Sequence, residues 1–107
     1  MDVELDPAVR QLVEATNAED TGAFLAAFAE DGVVDDWGRH FVGREAIASW
    51  SAEENIGVHA RFQVLAVRAE GAGQAVDVRV SGGGFNGPST FVFETGGGRV
   101  RSMTIRG

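Results

Sequence analysis

Two adjacent aspartates, Asp35 and Asp36, close a short apolar run, and Trp37-Gly38 follow them at once. A histidine, His40, lies just beyond that dipeptide. Carboxylate and imidazole are the groups that proteins use to move protons near neutral pH. Desolvation in an apolar cavity favours a neutral carboxyl group and makes the carboxylate a stronger base. Asp36 is therefore the candidate general base or ligand contact. The structural alternative is that it caps the turn or meets solvent, since Asp favours turns for its local hydrogen bonds. Asp35 should point to the other face of the strand and is read as structural. His40 is placed near Asp36 across the turn, as an orienting partner or proton carrier. His59, the second of two histidines, is a candidate ligand contact. Either histidine can equally be a satisfied surface residue.

Other chemistries are excluded by composition. The chain has no Cys, Lys or Tyr, and all nine basic residues are Arg. Thiolate nucleophiles, disulfides, thiolate metal sites, Schiff-base lysines and phenolic acids are therefore absent. No H-x-H or H-E-x-x-H spacing supports a metal site, so no metal and no organic cofactor is assigned. The net charge is −7. Counterion-release binding to phosphates needs clustered basic residues, and the chain has none, so nucleic acid and anionic membranes are not expected partners. No apolar run reaches the roughly 18 residues of a membrane span. The acidic start MDVELDPAVR lacks a signal-peptide core, and a cytoplasmic location is the default expectation.

The elements that must position these groups are readable in order. A helix is expected over 6–18, with Asp6 as cap, Pro7 in the first turn, and Val9, Leu12, Val13 and Thr16 at helical spacing. A second is expected from Thr21 to Ala29, capped by Asp20, with Phe24, Leu25 and Phe28 buried and Gly32 as its left-handed stop. Val33 to Asp36 and Arg39 to Val42 read as two strands around Trp37-Gly38. A third helix follows Gly43 over about Arg44 to Asn55, with Ile47 and Trp50 on one face and Gly57 ending it.

The pattern then changes to period two. Val58, Ala60, Phe62 and Val64 alternate with polar residues, after which the phase slips to Leu65, Val67 and Ala69. Such a slip marks a bulge or a strand buried on both faces, and so a curved sheet. Gly71 to Gln74 form a turn, and Val76, Val78 and Val80 alternate on the next strand. Gly82 to Pro88 form a wide loop, Thr90 to Glu94 a strand, Gly96 to Gly98 a turn, and Val100 to Ile105 the last strand. Helices first and a strand meander after predict a single α+β domain over 1–107, with helices on one face of a mostly antiparallel sheet. Trp37, Trp50, Phe62, Phe85 and Phe91 are candidate pocket-lining aromatics. Aromatics at strand spacing also serve as plain core, whereas Phe85 sits in a Gly-rich loop from which it can cover a ligand or a partner chain. Asp77 and Arg79 share one strand face, as a polar pair or as an exposed ion pair of small energetic weight.

Three stretches carry a family resemblance: NAEDTGAFLAAFAEDGVVDD, GRHFVGREAI and FVFETGGGRVRSMTIRG. Across nearly its whole length the chain resembles the nuclear transport factor 2-like superfamily, in its SnoaL-like branch related to polyketide cyclases and ketosteroid isomerases. The resemblance implies a cone: three helices over a strongly curved antiparallel sheet, with a deep, mostly apolar pocket for a small apolar molecule. It also implies a homodimer through the sheet's outer face. The proton-moving carboxylate of the isomerases falls at Asp36. Their first-helix tyrosine falls at Leu12 and their protonated aspartate near Thr90, so the oxyanion donors that stabilise a developing enolate do not carry over. Related epoxide hydrolases use a neighbouring Asp and Arg on a strand, which Asp77 and Arg79 match only in part. The function implied is small-molecule binding, with acid–base chemistry of the isomerase or cyclase kind through Asp36. The alternative is a non-catalytic binding or dimerisation module of the same fold, or a surface for another protein on the outer sheet face.

Overall fold

Asp6 and Pro7 start the first helix as their residue types predict. The computed structural model describes residues 3–107. Helix α1 spans Pro7–Asn17, and the Asp6 carboxylate accepts from the Ala8 amide at 2.9 Å. Val9 and Leu12 on its inner stripe are fully buried. Helix α2 spans Thr21–Ala26, with the Asp20 carboxylate accepting from the Ala23 amide at 3.0 Å.

The second helix is shorter than the sequence pattern implies. The chain leaves it at Ala27, whose carbonyl accepts from the Val100 amide at 2.8 Å. Strand β1 then runs Phe28–Asp36, with Phe28 paired to Val100. Phe28 thus belongs to a strand, and Gly32 lies within β1 rather than stopping a helix. Pairing to a strand some 70 residues later overrides a helical local pattern, because intrinsic propensity is a weak preference against tertiary burial. Phe28 is buried all the same, with its ring 5.4 Å from that of Phe24.

Strand β2 (Arg39–Val42) returns antiparallel to β1, and helix α3 (Arg44–Glu54) buries Ile47 and Trp50. Asn55 ends α3, and a short 3-10 turn, Ile56–Val58, leads to His59 in the left-handed conformation. Gly57 is inside that turn rather than at the helix end. It is glycine for a packing reason, since a Cβ there would collide with the Ala52 carbonyl.

Strands β3 (Arg61–Glu70), β4 (Gly73–Ser81), β5 (Gly87–Gly96) and β6 (Arg99–Arg106) complete one six-stranded sheet in the order β2-β1-β6-β5-β4-β3. All neighbours are antiparallel except β1 and β6. The β3–β4 register shifts between Val64 and Ala66, which places Leu65 outside the ladder and half-exposed. This is the bulge expected from the phase slip. The architecture is a cone-shaped α+β fold, three helices on a mostly antiparallel, open sheet. Phe62, Val76, Val78, Phe91, Phe93 and Met103 are among the sheet residues that build the core beneath the helices. Among the described residues no helix is long and apolar enough to cross a membrane.

Candidate functional site

The β1–β2 hairpin sets the site. Trp37 and Gly38 both take positive φ, 54° and 88°, the requirement of the tight hairpin turn whose twist matches its strands. The register then pairs Asp36 with Arg39 and Asp35 with His40. Directly opposed residues share a sheet face, and successive residues alternate. Asp36 and Arg39 therefore share one face, and Asp35 and His40 the other.

Asp36 faces the core side and is largely buried, with 14% side-chain exposure. Its Oδ2 accepts from Arg39 Nη2 and, at 3.1 Å, from Trp50 Nε1. Arg39 is held at its other edge by Glu54, with Nη1–Oε2 at 2.9 Å and Nη2–Oε1 at 2.7 Å. The paired bonds it donates to Glu54 chiefly, helped by the charge of Asp36, push the guanidinium above its ordinary pKa despite the desolvation that opposes them. The same bonds hold the Glu54 carboxyl below its ordinary value. The Arg39 guanidinium also lies 5.6 Å from the Phe41 ring centroid, and Phe41 packs 6.2 Å from Trp50. All known bonds to Asp36 fall on Oδ2; Oδ1 has no partner among the described residues.

This wall borders a cavity of about 330 Å³ between α3, the hairpin and the inner face of the sheet. Trp50, Phe62, Phe91 and Met103 give it an apolar interior, with Trp37 and Phe85 at exposed positions on its border. Phe62 and Phe91 meet edge to face at 5.0 Å. Asp36, Trp37, Trp50, Phe62, Phe85 and Phe91, all singled out in the sequence, thus border one cavity.

The histidines lie elsewhere. His40 is not beside Asp36: its Nε2 is 3.1 Å from Asp35 Oδ2, and its side chain is 62% exposed. The reason is the register, which puts residue 40 opposite residue 35. Asp35 also accepts from the Gly38 amide at 2.8 Å. That bond first, and His40 second, lower its pKa. His59 sits on the left-handed residue after the 3-10 turn and points away from the cavity, with Nδ1 2.7 Å from Glu19 Oε1. That contact, then Arg61, lowers the Glu19 pKa.

Asp77 and Arg79 lie on the outer sheet face. Asp77 accepts from Thr90 Oγ1 and from Arg68 Nη1, both at 2.9 Å, and Arg79 is exposed. Thr90, one of the two expected oxyanion positions, is thus turned outward, and Leu12, the other, is core.

Arg39, Glu53, Glu54 and Asn55 also border the cavity and were not expected there. Arg39 had a legible signal, since a two-residue turn places it opposite Asp36. Asn55 had none: it is 2% exposed, borders the cavity, and has a buried Nδ2 with no hydrogen-bond partner among the described residues.

Residues 9–103 match the family model described as a SnoaL-like domain, and the chain belongs to that family. Among solved structures it is similar to a putative polyketide cyclase from Sinorhizobium meliloti, at 27% identity and TM-score 0.81, over 92% of this chain and 93% of that one. It is similar in fold to a hypothetical protein from Catenulispora acidiphila with a ketosteroid isomerase-like fold, solved with trimethylamine (20% identity, TM-score 0.81, 97% of this chain and 87% of that one). A Mycobacterium tuberculosis protein solved with estradiol-17beta-hemisuccinate also shares the fold (16% identity, TM-score 0.81, 92% and 88%). A search of curated proteins returned no match.

Proposed function

We propose that this protein binds a small, mostly apolar molecule in the cavity beneath the curved sheet, and that Asp36 is its acid–base residue. The observation that carries the reading is one carboxylate set into an aromatic wall. Asp36 borders a cavity of about 330 Å³ and keeps Oδ1 unbonded while Oδ2 is held by Trp50 and Arg39. An anchored carboxylate with one free oxygen suits proton transfer to or from a bound carbon acid, because its position is fixed before reaction. Two proteins of the same fold were solved with estradiol-17beta-hemisuccinate and trimethylamine, which supports a small ligand here.

The test is a crystal structure of protein purified from its source without added ligand, together with native mass spectrometry of the same sample. Apolar density against Asp36 and a matching mass increment are expected. An interior closed by its own side chains would sink the proposal. Once a substrate is in hand, Asp36→Asn should retain binding and lose turnover. Full turnover in that variant would remove Asp36 as the base.

A non-catalytic module is the second reading, favoured by Leu12 and Thr90 standing where oxyanion donors would be needed. For either reading we propose a homodimer through the outer sheet face, where Thr90, Val92 and Thr104 are only partly exposed in the monomer. Sedimentation at micromolar concentration should give twice the chain mass of 11.3 kDa; a monomer would refute it.

A further inference from the structure

The chain end of α3 places Asn55 against the same cavity as Asp36. The residue is 2% exposed, and its Nδ2 has no acceptor among the described residues. Its backbone is fully occupied: the amide donates to the Ser51 carbonyl, and the carbonyl accepts from Val58 and Ala60. Only the side chain is uncommitted. A buried amide without a partner costs stability that an apolar side chain of the same shape would not. In a protein such a group marks a place where something else supplies the bond.

The charge of the wall narrows the candidate. Asp36, Glu53 and Glu54 border the cavity with, among the described residues, a single cation, Arg39, and that cation is already shared by Asp36 and Glu54. An anionic ligand would meet like charge and find no free guanidinium. A neutral ligand meets no such penalty. The terminal torsion of a carboxamide is close to two-fold, so Asn55 can present its N–H to the cavity.

Resting on the pocket reading above, we propose that Asn55 is the polar anchor of the site, donating from its side-chain amide to the carbonyl oxygen of a neutral, otherwise apolar ligand. Asn55 fixes the ligand's oxygen, and the aromatic wall takes its hydrocarbon body. The pocket thereby selects ketones, esters and similar carbonyl compounds over hydrocarbons and over carboxylates of the same size.

The probes are camphor, its hydrocarbon counterpart camphane, and adamantane carboxylate, titrated calorimetrically into the full chain and into Asn55→Leu. Leu keeps the approximate shape and removes the orphan amide, so this variant should fold at least as stably as the parent. In the parent, camphor should bind roughly fivefold to tenfold more tightly than camphane, the size of one net hydrogen bond. Asn55→Leu should abolish that preference while still binding camphane. The Asn55 side-chain NH₂ signal of ¹⁵N-labelled protein should shift with camphor and not with camphane. Equal affinity for camphor and camphane in the parent, or preference for the carboxylate, would overturn the Asn55 assignment and leave the apolar pocket standing. Binding of none of the three would overturn both.

Discussion

The bond from Trp50 Nε1 to Asp36 Oδ2 helps hold a carboxylate whose other oxygen has no partner among the described residues, and it has a measurable strength. Trp50→Phe removes the donor and keeps an aromatic ring. Asp36→Ala removes the acceptor without stranding the cation, because Glu54 still holds Arg39 through two bonds. Trp50→Phe also loses ring area at a residue 4% exposed, so its single effect mixes packing with the hydrogen bond. A double-mutant cycle separates them, since packing loss appears in both arms and cancels.

Hydrogen bonds to charged groups contribute about 1.5–3 kcal/mol. The N–O separation of 3.1 Å is at the long end of the usual range. The acceptor oxygen is shared with Arg39. These two facts bring the expected coupling down to about 1–2 kcal/mol. The assay is urea unfolding followed by far-ultraviolet circular dichroism, because the fluorescence reporter is itself altered, at one fixed protein concentration. A coupling within about 0.3 kcal/mol of zero, inside the usual additivity error, would mean that Trp50 does not anchor Asp36. Oδ1 would then not be presented in a fixed direction.

Two further outcomes test the frame around the site. Gly73→Ala should cost about 3 kcal/mol or more, because its Cβ would be driven into the Phe93 carbonyl across the β4–β5 ladder. A thermal midpoint unchanged from the parent would show that β4 can shift without loss. The carboxyls of Glu19, Asp35, Glu54 and Asp77 are all lowered in the folded chain by hydrogen bonds, chiefly from His59, the Gly38 amide, Arg39 and Thr90 respectively. A lowered carboxyl stabilises the fold above its unfolded pKa, and that contribution is lost as pH falls through its folded pKa. Stability should therefore fall as pH drops below the ordinary glutamate value of 4.5. Glu19→Gln should make that acid limb shallower in a series of unfolding curves, and an unaltered limb would count against the Glu19–His59 contact.

Much of this fold was legible because its signals are local. Asp6-Pro7 and Asp20 cap helices, the hairpin turn announces itself in Trp37-Gly38, and the phase slip after Val64 is a bulge in the structure. The junction of α2 with β1 was not legible. FLAAFAE is helical by composition, and what makes Phe28 a strand residue is its pairing with Val100, which no local window contains. Of the cavity aromatics, Phe62 and Phe91 follow from period two once the inner face is known. Asn55 has no such rule: a polar residue at a helix end reads as a stop signal, and its burial arises only when α3 meets the 3-10 turn and the sheet.

The doubled aspartate shows how closely the site depends on register. Asp35 and Asp36 are chemically the same, and the pleat sends them to opposite faces. Which one reaches the cavity is decided by the length and hand of the turn. Two residues with positive φ set Asp36 opposite Arg39, and a register slip of one would exchange the pair. Asp35 would then face the aromatic wall and Asp36 would face solvent. The structure blocks that exchange three times: Trp50 binds Asp36, Arg39 joins Asp36 to Glu54 on α3, and the Gly38 amide holds Asp35 in the turn. The histidine follows from the same register. Because His40 opposes Asp35, the register that brings Asp36 to the cavity takes His40 away from it. The proposed acid–base role therefore rests on the Asp36 carboxylate alone, without an imidazole relay from the hairpin.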